Sequence, residues 1–242
     1  MNYSIHLFKA DACPELGAEY CRRHAAALAE YGCGGVASSK QVWMENPNAY
    51  ALVVYDELGE MVSGIRLHFH HDSHPLPMET ALKDLDARIV DVVKSETSRM
   101  TGEICGLWAH SSIRSKGFGP IMCQTATALA HRLGAASLFS LVSPHTHDMM
   151  LSFGYLPVPE VGRAGDFLYP TADYISTVMV MPDLARLEHT APVYKEHMLS
   201  IRRAPRQIRR EGRDKKMQVS YQLDRFINQA PAPSRKVVAS MA

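Results

Sequence analysis

Polar and apolar positions alternate over residues 3–9, the two-residue period of a strand. Past Pro14 the period lengthens: residues 15–31 carry Ala and Leu at helical spacing, and Gly32 closes the run. Residues 50–55 are a short apolar run, 56–59 a turn and 61–69 a returning strand, together a hairpin. After a loop at 70–77, residues 78–94 are mixed and predict a helix over at least 82–93. Residues 103–109 predict a strand, 114–119 a glycine loop and 121–133 a helix that Gly134 ends. A strand at 136–142, a short helix at 144–153 and strands at 155–157 and 174–181 complete the body. This order predicts an α/β fold, a mixed central sheet of about six to seven strands flanked by helices, with the glycine loop after a central strand.

Charge divides the chain. Residues 1–185 hold 13 Lys/Arg and 20 Asp/Glu, and residues 186–242 hold 13 and 5. The body is therefore acidic and the C-terminal segment basic, which predicts a domain at 1–183 and a basic helical extension at 184–242. In that extension Arg202, Arg203, Arg206, Arg209, Arg210 and Arg213 recur at helical spacing, residues 217–223 fit one more strand, and the Pro231-Ala-Pro-Ser stretch reads as a frayed end. The arginine face would suit an acidic carrier protein, the acidic body of the same chain or a second copy as a homodimer. No aromatic residues interleave it, which argues against nucleic acid.

Five cysteines form no Cys-x-x-Cys pair, so neither a disulfide framework nor a zinc knuckle is expected. The N-terminus lacks the order of a signal peptide and no apolar run reaches membrane-spanning length, so the expected location is cytoplasmic, with no membrane span.

The most informative run is Glu103-Ile-Cys-Gly-Leu-Trp-Ala-His-Ser-Ser-Ile-Arg114-Ser-Lys-Gly117-Phe-Gly119-Pro120. A strand that turns through glycines into a helix aims unpaired amides and the positive end of the helix dipole at one point. A phosphate or pyrophosphate fits there. The bland alternative is a helix start that uses Gly for tight packing. A nucleotide P-loop would need Lys after the glycines, and Lys116 precedes them.

Arg114-x-x-Gly117-x-Gly119, set between strand and helix, resembles the signature of the GCN5-related N-acetyltransferase superfamily, and Gly154-Tyr155 resembles its Gly-Phe pair. The resemblance spans roughly residues 3–182. It implies an N-acyltransferase fold and a phosphopantetheine thioester, acyl-CoA or acyl-ACP, as co-substrate, with no metal. It also implies that amides near Ser115, Lys116, Gly117, Phe118 and Gly119 hold the pyrophosphate and that Arg114 and Lys116 add charge. Leu107, Trp108 and Ala109 would splay from residues 138–141 and receive the pantetheine arm. A narrower resemblance, to acyl-homoserine-lactone synthases and long-chain N-acyl amino acid synthases, rests on Gly64-Ile-Arg66-Leu67, Leu76-Pro77 and Glu103. Here Cys105-Gly106 stands where that subgroup carries Ser-Arg.

Acyl transfer to an amine needs a polarised carbonyl, a base and a proton for the leaving thiolate. Glu103 is the candidate base, against the alternative of a solvated strand-start carboxylate. The superfamily's tyrosine acid falls on Met150, so Ser143, His145 and His147 are the candidates near the thiol. Arg66 is a candidate for a substrate carboxylate, and His68 for substrate contact. The cluster His68, His70, His71 and His74 lacks the partners of a metal site. Trp108 and Phe118 either line an acyl channel or fill the core. The expected partner is a small-molecule primary amine, attacked directly. The second reading is a non-catalytic module that holds coenzyme A.

Overall fold

The computed structural model describes residues 1–30, 41–212 and 214–227. The expected helix end at residues 31–32, Cys33, Arg213 and the frayed stretch lie outside the described residues. Among the described residues, ten strands form one mixed sheet: β1 (Asn2–Lys9), β2 (Ala49–Tyr55), β3 (Met61–Phe69), β4 (Thr101–Ala109), β5 (Ser137–Val142), β6 (Leu156–Pro157), β7 (Asp166–Leu168), β8 (Ile175–Met181), β9 (Arg206–Glu211) and β10 (Met217–Gln222). Their order is β6-β8-β5-β4-β3-β2-β1-β10-β9, with β7 also on β8. The pairs β4–β5 and β1–β10 are parallel and the others antiparallel. Among the described residues, six α-helices flank the sheet: α1 (Pro14–Ala29), α2 (Pro77–Leu82), α3 (Arg88–Glu96), α4 (Phe118–Arg132), α5 (Pro144–Ser152) and α6 (Pro192–Arg203).

The α/β class is as expected, but the sheet has more strands than six or seven. Two are short: β6 has two residues and β7 three. That is too few to show a period. The helix expected over 82–93 is two helices broken at Lys83–Ala87, because Pro77 starts α2 early and the Asp-Leu-Asp run at 84–86 turns the chain. The helix expected to run to about Arg213 is shorter than that. Among the described residues of the C-terminal extension, α6 and the 3₁₀ turn Asp224–Phe226 are helical; Pro205 follows the end of α6, and Arg206, Arg209 and Arg210 lie on β9.

The single arginine face therefore does not form. Arg202 is buried and donates to the Leu184 carbonyl at 2.6 Å, with burial pulling its pKa down to about 10. Arg206 bonds to Asp224, and Arg209 bonds to Glu211 and Ser200. The β9–β10 hairpin joins the body by the parallel β1–β10 ladder, so the C-terminal segment completes the same sheet.

β3 is buried along its whole length, between α4 on one face and α1 on the other. A strand covered on both faces is expected to be apolar throughout. Arg66 and His68 break that rule on one face, and Gly64 shares the face with them. Across the ladder, Arg66 faces Cys105 and His68 faces Glu103. Four chemically versatile side chains thus meet on one side of the sheet centre.

Candidate active site

These residues line a cavity of about 630 Å³. Arg66, His68, Glu103 and Cys105 form its floor, Met78 and Ala81 of α2 one wall, and Trp43 another. Leu141 and Ser143 close the side toward β5. The first turn of α2 carries Pro77 at its start, and Glu79 folds back to accept the Leu76 amide at 2.6 Å, so this short helix is fixed at its N-terminus.

Glu103 is only 1% exposed, and its Oε2 accepts the Met78 amide at 2.8 Å. Burial pushes its carboxyl up to about 8; the Met78 amide and Arg66 oppose the rise, and nearby Glu79 adds to it. A carboxyl poised there can exchange a proton near neutral pH. It is not the solvated strand-start residue of the alternative reading.

Arg66 is 2% exposed, and its guanidinium lies 5.0 Å from the Trp43 ring centroid. Its Nε and Nη2 are buried without a hydrogen-bond partner among the described residues. The Trp43 indole donates to Cys21 Sγ at 3.2 Å, which fixes the ring beneath the cation. His68 also carries an unpartnered buried Nε2, and burial followed by the Arg66 charge holds its pKa well below the ordinary value, so it is neutral. Burial raises the Cys105 thiol to about 12, which leaves it protonated and a poor nucleophile.

The glycine loop is a different kind of region. Ser115 and Gly117 have positive φ, 71° and 86°, and Gly117 caps α4. A side chain at Gly117 would meet nothing within 4 Å, so the loop is open. Among the described residues, the amides of Ser115, Gly117, Phe118 and Gly119 donate to no main-chain carbonyl. The Lys116 amide is engaged with Ile113, its ammonium lies 3.0 Å from the Tyr3 hydroxyl, and Arg114 pairs with Glu30. Phe118 is a core residue packed edge-on against Tyr3, and Trp108 is buried as well.

None of residues 114–119 lines the cavity. The two regions are joined by β4. Its ladder with β5 ends at Glu103–Phe139, and beyond it the Ser140 hydroxyl reaches across to the Ile104 carbonyl at 3.1 Å. From there Leu107, Trp108 and Ala109 run with β3 alone, and the Leu107 side chain lies beside Gly119. The gap between β4 and β5 thus leads from the loop to the cavity, where Gly106, Leu141 and Ser143 stand.

Ser143 reaches the cavity and its hydroxyl lies 3.1 Å from that of Thr146. His145 is exposed and His147 pairs with Asp148; neither lines the cavity. Met150 is buried in the core, and Tyr155 is buried with its hydroxyl 2.9 Å from Thr127, a packing role. Sequence reasoning missed Trp43, Tyr20 and the Met78 amide. Tyr20 and His24, four apart on the buried face of α1, were the available signal. Among the described residues no group of His, Cys, Asp and Glu is arranged to hold a metal ion, and no helix is long and apolar enough to cross a membrane.

No family model matches the chain, and no curated protein matches it. Solved structures do. An N-acyl amino acid synthase from uncultured soil microbes aligns with a TM-score of 0.60 at 12% identity, over 80% of this chain and 97% of that one. A CoA-dependent acyl-homoserine lactone synthase, solved with SAM and isopentyl-CoA, aligns at 0.56 and 13% identity, over 81% and 89%. An acyl-CoA N-acyltransferase from Pseudomonas aeruginosa aligns at 0.50 and 16% identity, over 74% and 98%. This chain therefore shares the fold of these three proteins, an N-acyl amino acid synthase, an acyl-homoserine lactone synthase and an acyl-CoA N-acyltransferase.

Proposed function

We propose that the protein is an N-acyltransferase that moves an acyl group bulkier than acetyl from a phosphopantetheine thioester to the primary amine of a small molecule bearing a carboxylate. The observation that carries this reading is the cavity at the end of the β4–β5 gap, which holds an unpaired cationic edge and a proton-accepting carboxyl side by side. Its volume, about 630 Å³, lies within the range of pockets that take drug-sized ligands, and Met78, Ala81 and Leu141 give it apolar walls.

In this reading the amides of Ser115, Gly117, Phe118 and Gly119 hold the carrier's diphosphate, whether the donor is acyl-CoA or acyl carrier protein. The pantetheine arm runs along Leu107, Trp108 and Ala109. Arg66 takes the acceptor's carboxylate through Nε and Nη2, and His68 adds a neutral contact. The amine nitrogen attacks the thioester carbonyl; the C–N bond forms, the C–S bond breaks, and Glu103 takes the proton the nitrogen sheds. The thiolate then gains a proton from solvent, and Ser143, which reaches the cavity, can donate a hydrogen bond to the sulfur. His145 and His147 would need α5 to move.

A second reading, a coenzyme A-binding module without turnover, is favoured by one observation: Met150 occupies the position of the superfamily's acid. Thiol release separates the two. Acetyl-CoA and acyl-CoAs of increasing length are each mixed with amines that have or lack a carboxylate. Release with the longer thioesters and the carboxylate-bearing amines is expected. Coenzyme A binding with no release across the panel would establish the module, and release confined to acetyl-CoA would overturn the donor assignment.

A further inference from the structure

We propose that Tyr20, far away in sequence on α1, is a positioning residue that holds the β4–β5 gap open and seats Arg66, through one hydrogen bond to the Gly106 carbonyl. The inference rests on the acyl-transfer reading above and adds to it a residue that couples the two halves of the site.

The geometry begins with a bulge. On β3, Gly64 faces Trp108 and Arg66 faces Cys105, so the single residue Ile65 stands opposite two residues, Gly106 and Leu107. Such an insertion bends its strand and re-aims the residues beyond it. It lies three residues past Glu103, the last β4 residue paired with β5. The segment that leaves β5, Leu107 to Ala109, is therefore the segment beyond the bulge.

Gly106 makes the bulge with φ of 61°, a conformation that side chains disfavour. A Cβ there would also stand 2.8 Å from Arg66 Nε and 3.1 Å from the Tyr20 hydroxyl. The bulge thus opens the gap on one side and makes room for the guanidinium on the other. Its carbonyl, turned out of the ladder, needs a donor, since a buried carbonyl without one is costly. The Tyr20 hydroxyl is that donor. Tyr20 is fully buried, with its ring edge-on to Trp43 at 5.5 Å and to Trp108 at 6.0 Å, so it has little freedom to be elsewhere. One of those tryptophans underlies Arg66 and the other belongs to the splayed segment.

The test is Tyr20→Phe, which removes the hydroxyl and keeps the ring. Amide hydrogen exchange at Leu107 should accelerate about tenfold while residues 101–103 keep their wild-type rates. The KM values for thioester and for acceptor should both rise, whereas Arg66→Lys should raise the acceptor KM alone. Unchanged exchange at Leu107, or equal acceleration along all of β4, overturns the proposal. Should the variant not fold, the wild-type protein decides by NMR: a slowly exchanging Tyr20 hydroxyl proton close in space to Gly106 supports the bond, and its absence overturns it. If wild-type protein releases no thiol from any thioester, the transferase reading falls, while the exchange and NMR results still judge the latch.

Discussion

The cavity and the glycine loop are built on opposite principles. The cavity works by burial: it sits on the middle of β3 and β4 and takes its chemistry from side chains whose protonation the interior has shifted, Glu103 upward and His68 downward. The loop works by exposure: it offers main-chain amides, shaped by positive φ at Ser115 and Gly117, with open space in front. Burial supplies reactivity, and backbone geometry supplies recognition of a charged carrier. Because different physics maintains each, each should break alone; β4, with the Tyr20 hydroxyl on its Gly106 carbonyl, ties them together.

Gly117→Asp should have the largest effect. A carboxylate in front of the amides repels the diphosphate, and coenzyme A affinity by calorimetry should fall by about a hundredfold or more. The fold should persist with a loss of about 1 kcal/mol from the left-handed backbone, since a side chain there meets no neighbour. Unchanged affinity would remove the loop from the site. The cavity should be untouched, so the pH profile of any residual turnover keeps its shape.

Glu103→Gln should come next, with kcat lower by about a hundredfold and coenzyme A affinity unchanged. In wild type kcat/KM should rise with pH and level off above about 8, as the Glu103 carboxyl loses its proton. The variant should lose that step. Stability runs the other way. The folded protein prefers the protonated carboxyl, so the contribution of Glu103 is complete below its ordinary value of 4.5 and disappears as pH climbs through about 8. A melting temperature that rises across that interval would contradict the burial assigned to Glu103.

Arg66→Lys keeps the charge but gives up the planar two-donor edge. The acceptor KM should rise about tenfold, with kcat changed much less. Equal activity toward amines with and without a carboxylate, in wild type, would count against the role given to Arg66. The smallest change expected is Tyr155→Phe. It loses the contact with Thr127, costs about 1 kcal/mol of stability in a denaturant titration, and leaves thiol release intact. A collapse of activity there would mean that Tyr155 does more than pack.

The same contrast explains what the sequence disclosed. The loop is local: Gly117, Gly119 and Pro120 stand within four residues between a strand and a helix, so its shape is legible as a motif. The cavity is not local. Glu103 and Arg66 were visible as odd polar residues in apolar strands, but Trp43 reaches Arg66 from a 3₁₀ turn, and the Met78 amide reaches Glu103 from α2. Neither contact can be read from spacing. The tail misled for a related reason. Arginines three and four apart fit a helix, yet β9 is an edge strand where Arg206 and Arg210 face outward and Glu211 faces inward. Edge strands carry charge to deter pairing, and a helical period read across Pro205 mixes two elements.

The central claim is that carrier diphosphate sits on main-chain amides of the loop. Titrating isotopically labelled protein with coenzyme A and tracking amide resonances tests it directly. The account predicts large, saturating shifts at Ser115, Gly117, Phe118 and Gly119, with smaller ones at Leu107 and Ala109. Saturating shifts confined to other surfaces, or no shifts at millimolar coenzyme A, would contradict it.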